Sequence, residues 1–282
     1  MDIKRAVITA AGNNQRRLPL QTLVDRDGVT KPVLRVISEE ILSAGVEEIC
    51  IIISPGDEAE YRLAAGPCAK RMQFVEQPKP LGYGHAVYCA HNFTGTDPFL
   101  LLVGDHLYLS REQRSCMRQL IEAAQVESCA VSAVQATHES KLPYYGVVAG
   151  HLQPGRARLY QVETVMEKPT PTQAEQELIV PGLRAGHYLC FFGMHVLTAG
   201  AMKLLGELLA GHDAAKGALH LSSALALLAN QERYLACELD GRRYDIGNKY
   251  GLLSAQLALS LEGKDREEVL AMLVEVLAQR GR

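Results

Sequence analysis

Apolar residues in this chain come first as unbroken runs and later as shorter mixed ones. Residues 6–10, 49–53, 99–103 and 130–134 are almost wholly apolar. A strand that is apolar along its whole length is covered on both faces, as in the parallel sheets of α/β proteins. Between these runs Val33, Leu34, Val36, Ile37, Ile41 and Leu42 recur at helical spacing and stop at Gly45. Residues 85–91 and 111–124 read as further helices, and 73–76 as a strand. Strands alternating with helices predict a sheet with helices on both faces.

After about residue 140 the segments shorten. Residues 145–148, 159–162 and 187–192 read as strands and loops added to one end of the sheet. The stretch Lys168-Pro169-Thr170-Pro171-Thr172 reads as a connector, and 201–209 and 222–229 as helices. The tail, 252–279, is helical with a charged break at Gly263-Lys264-Asp265. No composition shift marks a linker, so one decorated domain is expected.

Composition narrows the class. Lys+Arg number 29 and Asp+Glu 32, a net charge of −3, without the basic excess of a dedicated nucleic-acid binder. No apolar run approaches the ~20 residues that span a bilayer, and Met1-Asp2-Ile3-Lys4-Arg5 lacks the apolar stretch of a signal peptide. A soluble, cytoplasmic protein is expected, with neither membrane nor nucleic acid as partner. The seven cysteines are odd in number and show no CxxC spacing, which argues against a disulfide framework or structural zinc. Cys50, Cys89 and Cys190 read as buried hydrophobes, and Cys116, near Arg114, as the more reactive thiol.

Ala10-Ala11-Gly12 follows the first strand, at the carboxyl edge where open α/β sheets bind ligands. Small residues there let backbone N–H groups approach a phosphate or base, and Arg16 and Arg17 follow with paired guanidinium donors. Neither GxGxxG nor GxxxxGK[ST] follows the strand, which argues against a nicotinamide dehydrogenase and a Walker-type ATPase.

Read with later segments, this loop resembles that of the sugar-phosphate nucleotidyltransferases, and the chain is most similar to their bacterial UTP–glucose-1-phosphate uridylyltransferase branch. The shared runs include Ala6-Val7-Ile8-Thr9-Ala10-Ala11-Gly12, Thr30-Lys31-Pro32-Val33-Leu34 and Gln77-Pro78-Lys79-Pro80-Leu81-Gly82-Tyr83-Gly84-His85-Ala86-Val87. They continue through Leu102-Val103-Gly104-Asp105, Glu167-Lys168-Pro169 and Arg243-Tyr244-Asp245-Ile246-Gly247-Asn248-Lys249, in family order across nearly the whole chain. The resemblance implies a Rossmann-like, mixed but mainly parallel sheet flanked by helices. It divides the chain into a nucleotide-binding part (1–140), a smaller β-rich sugar-phosphate-binding part (141–250) and a C-terminal helical tail (251–282). It implies a reaction in which a sugar 1-phosphate attacks the α-phosphate of UTP in line and releases pyrophosphate.

The same resemblance implies a role for each site residue. Asp105 and Asp245 would hold Mg²⁺. Ala10, Ala11, Gly12, Gln77 and Gly82 would line the nucleotide, with Asp105 and Lys31 at its phosphates. Tyr145, Gly146, Glu167, Lys168, Gly186 and Lys249 would receive the sugar phosphate. Arg16, Lys31, Asp105, Lys168 and Lys249 would be catalytic; His106 is assigned no role. A homodimer or homotetramer is implied. The chain departs from the family at Gly12-Asn13-Asn14-Gln15-Arg16, where relatives read Gly-x-Gly-Thr-Arg and where Asn14 is expected to keep the turn. It departs again at Leu219-His220-Leu221-Ser222-Ser223-Ala224, where relatives usually carry Thr-Asp. These changes leave a second reading, a catalytically degenerate relative that binds a nucleotide or sugar nucleotide as a regulatory or assembly protein.

Overall fold

The computed structural model describes residues 1–13, 15–213 and 217–279. Asn14 and its expected turn lie outside the described residues. The strands are β1 (Arg5–Thr9), β2 (Thr22–Val24), β3 (Thr30–Pro32), β4 (Glu48–Ile53), β5 (Met72–Glu76), β6 (Phe99–Val103), β7 (His106–Ser110), β8 (Ala130–His138), β9 (Gly146–Leu152), β10 (Leu159–Glu167), β11 (His187–Leu197), β12 (Tyr234–Glu238) and β13 (Gly241–Asp245). The helices are α1 (Val33–Ser43), α2 (Glu58–Ala65), α3 (Tyr83–Tyr88), α4 (His91–Thr94), α5 (Cys116–Glu127), α6 (Pro171–Glu177), α7 (Ala199–Ala210), α8 (Leu221–Gln231), α9 (Gly251–Glu262) and α10 (Arg266–Gln279).

Among the described residues, nine strands form one sheet in the order β5-β4-β1-β6-β11-β8-β12-β10-β9. It is mixed. Parallel pairs are confined to β5-β4-β1-β6 and to β8-β12. Strands from the later half are not simply added at one end, because β11 runs antiparallel between β6 and β8.

Alternation along the strands divides the core between two faces. Ala6, Ile8, Ile49 and Ile51 pack with Leu34, Ile37, Met117 and Leu120 of α1 and α5. Val7, Cys50, Ile52 and Leu101 pack with Val87, Leu204, Leu225 and Leu228 of α3, α7 and α8. Cys50 and Cys190 are fully buried, as expected. Cys116 is buried too, and burial pushes its thiol up to about 12, so proximity to Arg114 gives no reactive thiolate. The expected connector at 168–172 starts a helix instead. Thr170 and Gln173 form a capping box at the start of α6, and Pro171 takes the first turn, where its missing N–H costs nothing.

Two small antiparallel pairs lie outside this sheet. Strands β2 and β3 pair within the long loop after β1. Strands β7 and β13 pair although 130 residues separate them in sequence, with Asp245 directly opposite His106.

Candidate active site

Three adjoining cavities of about 410, 200 and 440 Å³ form a cleft at the carboxyl end of β1 and β6. The first is lined by Ala10, Ala11, Gly12, Gln77, Gly82, Asp105, Glu167 and Lys168. It opens past Tyr83, His106 and Glu167 into the second, where Tyr145, Gly146, Ser222, Arg243 and Asp245 stand. The third shares Tyr145, Arg243 and Asp245 with the second and adds Lys249. Residues from five distant parts of the chain thus meet in one cleft.

The first cavity is shaped by backbone. Gly82 has φ +117°, and a Cβ there would sit 2.5 Å from the Leu219 carbonyl oxygen and 2.7 Å from the Leu219 nitrogen. The loop before α8 is therefore laced to the loop before α3: Leu219 N–H donates to the Leu81 carbonyl (2.7 Å) and Gly84 N–H to the Leu219 carbonyl (2.8 Å). Gln77 is buried, and its Nε2 donates to the Gly82 carbonyl (3.2 Å) and lies 3.0 Å from His85 Nδ1. Both amide hydrogens are thereby engaged, which leaves Oε1 to accept a hydrogen bond from a ligand. Burial pulls the His85 imidazole below its ordinary range, so it stays neutral as that partner.

The acidic pair sits where the first two cavities meet. Asp105 is buried at the end of β6. Its carbonyl accepts from Ile246 N–H (3.0 Å), which ties the strand end to β13. Asp245 is oriented by Gly247 N–H on Oδ1 (2.9 Å) and Asn248 Nδ2 on Oδ2 (3.0 Å). One ligand atom each from Asp105, His106 and Asp245 lies within 4.8 Å of the others. Two carboxylates that converge where the cavities join, one from the β6–β7 turn and one from the end of β13, fit a hard divalent cation.

Glu167 ends β10 and Lys168 follows it, both lining the first cavity. Lys168 adopts φ +46°, its N–H donates to the Tyr145 carbonyl (3.1 Å), and its side chain makes no ion pair among the described residues. Ser222 donates to Glu167 Oε2 (2.9 Å). Gly146 faces Glu167 across the β9–β10 ladder, and a Cβ there would meet the Phe191 ring at 2.7 Å and Glu167 Oε2 at 3.2 Å. Arg243 stacks over Tyr145 with its guanidinium carbon 3.7 Å from the ring centroid and donates to the Phe191 carbonyl. Sequence reasoning missed His106, Tyr83, Ser222 and Arg243 as cleft residues. Their signal lay in neighbours: His106 follows Asp105, Tyr83 follows Gly82, and Arg243 precedes Asp245 by one strand repeat.

Three expected site residues are not in the cleft. Lys31 lies opposite Leu23 in the β2–β3 hairpin, and its ammonium meets Asp25 Oδ2 (2.5 Å) and Glu39 Oε2 (2.7 Å). It lines a separate cavity beside α1 and none of the three that form the cleft. The hydrogen bonds to Asp25 and Glu39 hold its ammonium above the ordinary lysine range. Arg16 turns to Asp57 (3.6 Å), while its carbonyl accepts from the Tyr61 hydroxyl (2.5 Å); Gln15 takes the place beside the cleft. Gly186 precedes β11 beside Glu139, whose N–H occupies its carbonyl (2.9 Å), and it lines none of the three cavities.

Comparison with known proteins is consistent with this geometry. The model of a nucleotidyl transferase family matches residues 5–261. The UTP–glucose-1-phosphate uridylyltransferase YngB of Bacillus subtilis (strain 168) is 30% identical, over 98% of this chain and 96% of that protein. Another UTP–glucose-1-phosphate uridylyltransferase of that organism is 27% identical over 99% and 98%. A solved UTP-bound UGPase from Acinetobacter baumannii superposes with TM-score 0.75 at 25% identity, over 97% of this chain and 99% of that one. A UDP-glucose pyrophosphorylase complexed with UDP-glucose shares the fold with TM-score 0.74 at 22% identity, over 91% and 98%.

Proposed function

Because the chain belongs to the nucleotidyl transferase family, we propose that it joins UTP and a sugar 1-phosphate, namely glucose 1-phosphate, to give UDP-sugar and pyrophosphate. The observation that carries this reading is the convergence of Asp105 and Asp245 between a backbone-lined cavity bearing Gln77 and a second one bearing Glu167.

The nucleophile is a phosphate oxygen that is already anionic, so the protein need not remove a proton. Its work is to align two repelling anions and to stabilise charge at the α-phosphorus. The Ala10-Ala11-Gly12 backbone and Gln77 Oε1 would receive the nucleotide, with Oε1 accepting from a uracil N–H. Lys168, without an ionic partner among the described residues, would neutralise the incoming phosphate, and Lys249 would approach from the third cavity. Glu167, held by Ser222, would accept hydrogen bonds from sugar hydroxyls. Asp105 and Asp245 would hold a divalent cation, Mg²⁺ in our reading, which when bound offsets the phosphate charge. Arg16 would serve only by leaving Asp57.

The same reading treats the chain as one nucleotidyltransferase domain and places it in the cytoplasm; no helix among the described residues is long and apolar enough to cross a membrane. It includes self-association through α10, which has no buried residue and exposes Met272, Val274, Val276 and Leu277. Sedimentation showing monomer alone would refute that part.

To test the function, UTP, glucose 1-phosphate and Mg²⁺ are incubated with the protein and pyrophosphate is followed. Release is expected, and Asp105→Asn or Asp245→Asn should each remove metal-dependent turnover. Tight UDP-sugar binding without release from any triphosphate and sugar phosphate would favour the degenerate binding protein.

A further inference from the structure

We propose that His106 is the third protein ligand of the divalent cation, so that the site is two carboxylates and one imidazole rather than a carboxylate pair. The inference rests on the reading of the cleft as a metal-assisted nucleotidyl-transfer site, and it concerns a residue to which that reading gives no role.

Strand register brings the three side chains together. His106 and Asp245 are direct cross-strand partners in the antiparallel β7–β13 pair. Side chains of such pairs leave the ladder on the same face, about 4.5–5.5 Å apart at Cβ. Asp105 precedes His106 where β6 ends, and its backbone is pinned to β13 through Ile246. The β7–β13 pair and the Asp105–Ile246 backbone bond therefore bring the three side chains together, and their ligand atoms fall within 4.8 Å of one another.

His106 Nδ1 also approaches Asp105 Oδ1 closely, at 2.7 Å. That is a hydrogen-bond distance; ligand bonds of about 2.0–2.2 Å at right angles set adjacent ligand atoms about 2.8–3.1 Å apart, so the pair need open by only a few tenths of an ångström to share one small cation. The ring is not a solvated loop side chain: it is 11% exposed and stacks with Tyr108, centroids 6.3 Å apart. Tyr108 is fixed in turn by its hydroxyl, which donates to the Gly193 carbonyl (2.9 Å). A ring with Nδ1–H donates to Asp105; to ligate an ion, Nδ1 would present its lone pair instead, with the ring proton on Nε2.

A nitrogen ligand has a measurable consequence. Mg²⁺ favours oxygen ligands, whereas imidazole suits first-row transition ions. The site should therefore favour Mn²⁺ over Mg²⁺ more strongly than an all-carboxylate version of itself would.

The test uses the full chain with Mn²⁺ as probe, with and without UTP, and reads pulsed electron paramagnetic resonance. Wild type is expected to show coupling of bound Mn²⁺ to a directly bonded nitrogen, which changes on ¹⁵N-histidine labelling. His106→Ala should lose that coupling and bind Mn²⁺ about 10-fold or more weakly. His106→Asp should regain affinity without the coupling and show a Mn²⁺ to Mg²⁺ affinity ratio lowered about 10-fold. Mn²⁺ bound in wild type without nitrogen coupling would overturn the proposal and leave His106 as a hydrogen-bond donor that orients Asp105. An unchanged ratio in His106→Asp would overturn it as well. Were the variants unfolded by circular dichroism, the labelled wild type would still decide. Mn²⁺ that fails to bind at all would overturn the metal reading itself, an outcome separate from nitrogen-free binding.

Discussion

Replacing Lys31 by methionine separates a structural role from a catalytic one. The Lys31→Met side chain keeps most of the aliphatic stem and removes the ammonium that joins Asp25 and Glu39. Although burial alone pushes the Asp25 carboxyl up, hydrogen bonds from Lys31 and from Val29 N–H hold it below its ordinary value. Glu39 is likewise held low against burial by Lys31 and Arg35. Taking one partner from a buried ion pair costs about 3–5 kcal/mol. Here the loss is softened, because Asp25 Oδ1 keeps two backbone N–H donors at 2.9 Å and Glu39, 36% exposed, keeps Arg35. A loss of about 2–4 kcal/mol is expected, which at roughly 2–4 °C per kcal/mol lowers the melting temperature by about 4–16 °C. The stabilisation is present above the unfolded carboxylate pKa values and fades as pH falls through the lower folded ones, so wild type and variant should converge in acid. Adding Asp25→Asn should recover part of the loss, since no buried charge is then stranded. Thermal denaturation and steady-state kinetics are measured together. Unchanged stability with a roughly 100-fold rise in the UTP KM would refute the reasoning and return Lys31 to the phosphates.

Two further expectations concern the Gly82 loop and a half-buried acid, Glu40. Gly82→Ala should displace the Leu219 backbone and disturb Gln77, destabilising the protein by about 2–4 kcal/mol and raising the UTP KM more than that for sugar phosphate; equal kinetics and stability would show the close approach to be unimportant. Burial raises the Glu40 carboxyl from 4.5 to about 7, so the folded state binds its proton more tightly than the unfolded chain and loses stability as pH rises from about 4.5 to 7. At about 1.36 kcal/mol per unit, Glu40→Gln should be more stable than wild type by up to about 3 kcal/mol at pH ~8 and equal to it near pH ~4; a gain independent of pH, in denaturant titrations, would contradict this.

Some of this is legible in the sequence for physical reasons. The runs that form β1, β4 and β6 are apolar throughout because both faces are covered, and the residues at the carboxyl ends of β1 and β6 mark the cleft. Asp105, Gln77, Gly82, Glu167 and Lys168 come with short motifs whose local geometry is self-contained. The β7–β13 pairing is not legible: His106–Ser110 is short and mixed, and the partner strand lies 130 residues away. No local pattern reveals that register, so His106 cannot be placed opposite Asp245 from sequence. Lys31 lies away from the cleft for a related reason. The lysine is kept but the residues flanking it are changed, and Asp25 and Glu39 on flanking elements offer the ammonium closer partners than the cleft does. Strand β11 is legible as a strand but not as a central one, because periodicity reports burial and not sheet order.

The proposed chemistry stands or falls on transfer of the UTP α-phosphate to a sugar 1-phosphate in this cleft. The protein is given UTP labelled at the α-phosphorus, glucose 1-phosphate and a divalent cation, and the label is followed by chromatography. It should move into UDP-glucose with one pyrophosphate released per molecule formed, and Asp245→Asn should stop both. Label recovered as UMP, or left in UTP while the protein binds UDP-glucose, would show that the cleft does not carry out this transfer.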